Sequence, residues 1–368
     1  MLLNRLKEHV SLLSHHLKQL TKRAASDIIA IDINPLSVKL MKMNTVEEPY
    51  RLEYFSIAPT PIGAIVKDEI KNTEALGDLI KSMVKLSSTK TMTASFAIPR
   101  SLALVKNIAI DSRLNSDEIE SRAWLEASRH FPDLIGEIYL DFTVVPSLVP
   151  DQKQAELILV ACRKEHIKPY LDTLQTAGLS AKVVEVNCYA LERAIPLVLD
   201  KTQLLNTIAV LNLNVNLSSL IVVHEGHLIY AHDQSYDGLR LMTQINKYLT
   251  DKANLKISEE GNKEPSSPVE ESVEYNAILR ENLISHLRHA VHFFYSSRPN
   301  INIQKLIISG DCATIPGIVA FIQKELNMDT ELANPLKHLT LSPDIDEKEI
   351  KTNAPTLMQC AGLALNKY

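Results

Sequence analysis

Apolar and polar positions follow two rhythms along this chain, and their order outlines a fold. The stretch DIIAIDINPLSVKLMKM opens with an apolar run over 28–33, breaks at Asn34-Pro35, and leaves as an alternating strand over 37–43. A short apolar run bounded by turn residues reads as a strand covered on both faces, and alternation reads as a strand covered on one. A third strand is predicted at 51–57, a helix at 73–86 and a strand at 93–98 that ends on Pro99. Next come a strand at 102–110, a helix at 116–130 and strands at 138–145 and 156–162. Asn115 or Ser116 caps that helix, and Asp117 and Glu118 suit the positive end of its dipole. The segment KEHIKPYLDTLQTAGL reads as a helix stopped at Gly178, followed by a strand at 181–186.

The same grammar then restarts. Strands are predicted at 207–213, 217–224 and 227–233, with Glu225-Gly226 as a tight hairpin turn. A helix at 238–250, a polar and acidic insert at 256–276 that reads as disordered, and a helix at 277–295 follow. The stretch KLIISGDCATIPGIVAFIQKELN is strand, turn and helix, and APTLMQCAGLALN is a short apolar helix. The repeated strand-turn-strand opening predicts an α/β protein of two similar halves, 27–200 and 201–338.

Residues 1–26 stand apart. Leu3, Leu6, Val10, Leu13, Leu17 and Leu20 form one helical stripe, and five basic residues face a single acid, for a segment charge of +4. A basic amphipathic helix of this kind suits contact with an anionic membrane surface, and packing on its own domain is the alternative.

Composition narrows the function classes. At 368 residues the chain has room for two or three domains, and its net charge of −5 argues against nucleic-acid binding. The four cysteines, Cys162, Cys188, Cys312 and Cys360, have no metal-ligand spacing and read as buried thiols in a reducing compartment. His286, His289 and His292 step by three along one helix and read as a helix face, so no metal site is expected. Asp141, Glu185 and Glu192 are acids without a partner spacing, so no catalytic residue is assigned. Only 10 glycines occur, few for a protein that wraps backbone around phosphates.

Several stretches in this order carry a family resemblance: IAIDINPLSVKLMKM, AIPRSLALVKNIAI, EIESRAWLEASRHF, LILVACRKEHIKPYLDTLQTAGL, LIISGDCATIPGI and APTLMQCAGLAL. Together they resemble the actin-like and FtsA-like ATPase fold and, within it, the PilM family of type IV pilus assembly. The resemblance implies a duplicated two-lobe fold with an alternative subdomain at about 102–165, and a segment 339–368 that returns to the first half. It implies a cytoplasmic adaptor peripheral to the inner membrane, binding the N-terminal tail of a PilN-like protein within the pilus assembly complex. The alternatives are an active actin-like ATPase whose nucleotide state switches partner binding, or a related secretion or division adaptor.

Three nucleotide loops are mapped by the resemblance. In the first, Asp32, Ser37 and Lys39 keep the family pattern, while Asn34 replaces a glycine and Pro35 a small residue. In the second, Asn212 stands for an acid, Asn214 for a glycine, and Ser218 or Ser219 supplies the hydroxyl. The third reads Gly310-Asp311, with a carboxylate where a glycine is usual. Pro35 removes an amide donor, Asn212 removes a ligand charge from a Mg²⁺ site, and Asp311 repels phosphate. The expectation is a degenerate site with no required cofactor, ATP with Mg²⁺ binding weakly at most, and no enzymatic activity. The partner groove is expected at Ile98, Arg100, Leu102, Leu104, Val105 and Ile108, where an extended peptide could lie along a strand and Arg100 could meet a carboxylate or carbonyl.

Overall fold

The computed structural model describes residues 28–66, 68–87, 89–132, 134–146, 154–258 and 272–366. The segment 1–26 lies outside the described residues, as does most of the insert expected at 256–276.

In the first lobe, β1 (Ile29–Ile33), β2 (Ser37–Asn44) and β3 (Arg51–Pro59) form an antiparallel meander. The small hairpin of β4 (Ile65–Val66) and β5 (Glu69–Ile70) leads into α1 (Thr73–Leu86), whose N-terminus is capped by Asn72. Strand β6 (Thr93–Ile98) then pairs parallel with β1.

Three strands of the inserted subdomain follow: β7 (Ala103–Asp111), then, beyond α2 (Ser116–His130), β8 (Ile138–Pro146) and β9 (Gln154–Arg163). They form a separate sheet in the order β7-β9-β8. Asn115 and Glu118 close a capping box at the start of α2, each side chain accepting the other's backbone N–H. Pleating decides what each face of β7 does. Leu104, Ile108 and Ile110 pack with Ala123 and Ala127 of α2, while Val105, Asn107 and Ala109 point the other way.

The chain returns through α3 (Lys164–Thr176) to β10 (Ser180–Val186), which completes one edge of the first-lobe sheet beside β6. Helix α4 (Asn187–Val198) crosses to the second lobe. There the opening is repeated: β11 (Thr207–Leu213), β12 (Leu217–His224) and β13 (His227–Ser235) are antiparallel, and β14 (Lys305–Ser309) pairs parallel with β11. Glu225 and Gly226 both have positive φ, the backbone of a two-residue hairpin turn. Every residue of β11 is buried, because helices cover both faces of this sheet.

Helix α5 (Gly238–Ser258) runs three residues into the expected insert, and α6 (Val273–Leu279) starts four residues earlier than predicted. Ser272 is the reason: its hydroxyl accepts the Tyr275 N–H and caps the helix. A π turn at Arg280–Ile284 joins α6 to α7 (Ser285–Ser297). Helix α8 (Ile318–Leu326) and β15 (Thr330–Leu332) finish this lobe.

Strand β16 (Thr340–Leu341) pairs with β3, bringing the chain back to the first lobe. Helices α9 (Glu347–Asn353) and α10 (Met358–Ala364) end the described chain. Helix α10 packs on β1 and crosses α4. At the crossing Gly362 lies against Ala190, where a Cβ would stand 1.7 Å from the Ala190 carbonyl oxygen. The core between the lobes is built from α4, β11 and β12, with Ile307 and Met358. Among the described residues no helix is long and apolar enough to cross a membrane.

Candidate functional site

The two hairpin turns, β1–β2 and β11–β12, and the turn after β14 meet between the lobes. In the first, the Asn34 side chain accepts the backbone N–H of both Leu36 and Ser37, each at 3.0 Å. Those amides, with the one Pro35 lacks, are the donors a phosphate would need. The turn is satisfied by its own side chain.

The second turn is similarly occupied. Asn212 accepts from the Ser309 hydroxyl at 3.0 Å, and Asn214 accepts the Asp311 N–H at 3.3 Å. The Ser218 hydroxyl is bonded to Nε2 of His286, which also lies 4.8 Å from the Tyr236 ring, centroid to centroid. In the third turn Gly310 has φ +94°, and a Cβ there would come within 2.5 Å of the Leu213 carbonyl oxygen. Glycine is kept here for backbone clearance at the end of β11.

At the centre lies Lys39, 1% exposed. Its Nζ is 3.0 Å from Asp311 of the second lobe and 3.4 Å from Asp32 beside it on β1. Gln359 of α10 donates to the other oxygen of Asp32 at 2.8 Å. Burial alone would lower the Lys39 pKa, but Asp311 and then Asp32 outweigh it and hold the ammonium charged above its usual range. Burial raises Asp32, a rise that Lys39 opposes and Asp311 reinforces, as expected where one cation serves two carboxylates. The residual space beside this cluster is a cavity of about 50 Å³, lined among others by Asp32, Asn34, Asp68, Asn187, Asn214 and Gln359. Small-molecule sites usually offer about 300–1,000 Å³. In this arrangement the amides of Leu36 and Ser37 are committed to Asn34, and the Asp311 carboxylate holds the lysine.

All nine residues mapped onto nucleotide loops therefore lie in or around one interlobe cluster. Sequence reasoning missed Gln359, whose signal was a lone amide in the apolar helix MQCAGLA, and read His286 only as part of a helical histidine row, not as the partner of Ser218.

The six residues expected to bind a partner divide. Ile98 and Ile108 are buried in core, Leu102 packs against the first-lobe core, and Leu104 faces α2. Arg100 and Val105 line a groove of about 720 Å³ between the inserted sheet, α4 and β13. A second hollow of about 570 Å³ lies between the inserted sheet, β10 and α4. The two share Ile158, Tyr189 and Glu192. Asp141, Glu185 and Glu192, unconnected in sequence, all line the second hollow.

Two lobes with duplicated meanders, joined by crossing helices and enclosing the three turns, define the class of actin-like ATPase folds. A family model described as type IV pilus assembly protein PilM matches residues 30–368, and the chain belongs to that family. Its fold is similar to a solved PilM-PilN type IV pilus biogenesis complex, with TM-score 0.73 and 20% identity over 93% of this chain and 98% of that one. More distant is the ethanolamine utilization protein EutJ from Carboxydothermus hydrogenoformans, with TM-score 0.48 and 10% identity over 92% and 89% of the two chains. MreB5 of Spiroplasma citri bound to AMPPNP gives 0.44 and 10% over 91% and 94%.

Proposed function

We propose that this chain is a non-enzymatic adaptor of type IV pilus assembly. It holds the cytoplasmic N-terminal tail of a PilN-like protein and works at the periphery of the inner membrane. Its nucleotide site is degenerate. The observation that carries this reading is the buried Lys39–Asp311 ion pair at the meeting point of the three turns. A phosphate there would have to displace a carboxylate already bound to the lysine, and Mg²⁺ would compete for an Asp32 shared by Lys39 and Gln359. The solved relative named as a PilM-PilN complex supports the choice of partner. The groove along Val105 and α4 has the apolar walls and open strand edges that suit an extended peptide.

Titration calorimetry tests both halves of the reading. A synthetic tail peptide of the PilN-type protein from the same genome is expected to bind, and Mg·ATP is expected to give no binding heat. Micromolar ATP binding would reject the degenerate site, and a silent peptide titration would reject the adaptor reading.

A further inference from the structure

Four charged residues line the groove, the exposed Glu156 and Arg298 and the more buried Glu192 and Arg100, and none of the four makes an ion pair among the described residues. Glu192 sits on α4 where the two hollows meet. One of its oxygens accepts the Leu228 N–H at 2.9 Å, and no ion pair is made by its carboxylate among the described residues. Neighbouring Arg193 is not available, because its guanidinium grips Glu185 in a bidentate pair at 2.9 and 2.6 Å and also donates to the Gly362 carbonyl. Burial pushes the Glu192 carboxyl up to about 7, with the Leu228 N–H and Arg193 opposing the rise and Glu185 adding to it.

Arg100 lines the larger hollow as well. Its backbone N–H donates to Asp233 at 2.9 Å, but the buried Nε has no partner. No ion pair is made by its guanidinium among the described residues, and Arg100 and Glu192 do not pair with each other. A half-buried guanidinium with an orphaned N–H, facing a hollow, is a donor set awaiting an acceptor.

Any chain laid through this groove strips the remaining water from both groups. A neutral occupant would leave the guanidinium uncompensated and drive the Glu192 carboxyl to its protonated form, whereas an occupant carrying a cation and a carboxylate answers both groups. We propose that Glu192 and Arg100 are the specificity-determining residues of the groove. They select an extended segment that places a basic side chain on Glu192 and a carboxylate on Arg100. This rests on the adaptor reading above and adds the charge pattern of the partner. Val105, Ala109, Ile158 and Ala231 supply apolar lining of the same hollow.

The test measures fluorescence anisotropy of the labelled PilN-type tail peptide on the full chain. The variants are Glu192→Gln, which keeps the Leu228 hydrogen bond, and Arg100→Met, which keeps the stem. Each is expected to weaken binding at least about tenfold, the scale on which losing a charge-assisted contact is felt. Peptides neutralised one charge at a time complete a double-mutant cycle: the basic position should couple to Glu192 and the acidic one to Arg100. Melting curves of both variants should match the parent, which separates recognition from folding. Parent-like affinity in either folded variant overturns the charge pattern while leaving the adaptor reading intact. Failure of the peptide to bind the parent chain overturns both.

Discussion

Gly362 of α10 lies against the backbone of Ala190 of α4, so close that a single added methyl would stand 1.7 Å from the Ala190 carbonyl oxygen. Both helices contribute to the core that joins the lobes, and neither can shift without moving a sheet. Gly362→Ala is expected to destabilise by about 1–3 kcal/mol, as overpacking of a dense core does. Urea unfolding checks it, and an unchanged midpoint would show that the helices can separate freely.

Lys39→Met should cost more. It leaves Asp32 and Asp311 buried and facing each other without a cation, a situation worth about 3–5 kcal/mol when one partner of a buried pair is removed. The expected result is a lowered thermal midpoint that recovers in part in Lys39→Met/Asp311→Leu, where the orphaned carboxylate is gone. A double variant no better than the single one would mean the pair is not the source of the loss.

Neighbouring residues of β7 should behave oppositely. Val105→Glu places a charge on the groove face and is expected to lower tail-peptide affinity at least about tenfold with little change in melting, as a desolvated charge without a partner requires. Leu104→Glu drives a charge toward α2 and is expected to cost about 2–3 kcal/mol of stability. Anisotropy and melting on the two variants separate the faces, and equal effects on binding would refute the pleat assignment.

Burial holds the His286 imidazole down to about 4, and its neighbours His289 and His232 add to the depression. The unfolded chain takes up this proton near pH 6.5, so the contribution to stability is complete above that pH and is lost as pH falls toward 4. Allowing for its partial exposure, the loss is about 1–2 kcal/mol. Urea midpoints should fall between about pH 7 and pH 5, and His286→Gln should flatten that slope. A parent-like slope in the variant would assign the pH dependence elsewhere.

What could be read from the sequence was what is local. The β1–β2 and β11–β12 hairpins, the Glu225-Gly226 turn and the Asn115 cap each follow from a few adjacent residues, and repetition of the first two betrayed the duplicated fold. The three nucleotide turns were found through resemblance, and the changes at Pro35, Asn212 and Asp311 were visible in them. That Lys39 would close on Asp311, 272 residues away, was not. Nothing local indicates which distant carboxylate a buried ammonium will choose. The groove failed for a related reason. Alternation in β7 was legible, but both faces are apolar, and only the position of α2 tells which of Leu104 and Val105 is covered. Asp141, Glu185 and Glu192 likewise become neighbours only when β8, β10 and α4 converge.

The ion pair across the lobes also bears on timing. A counter-ion carried by the polypeptide is present in every copy, is never consumed, and cannot be exchanged for a spent form. A contact of that kind bridges the lobes with groups the chain itself supplies. Under the adaptor reading proposed above, the time such a molecule stays engaged is set at its other surface, by how fast a partner leaves the groove.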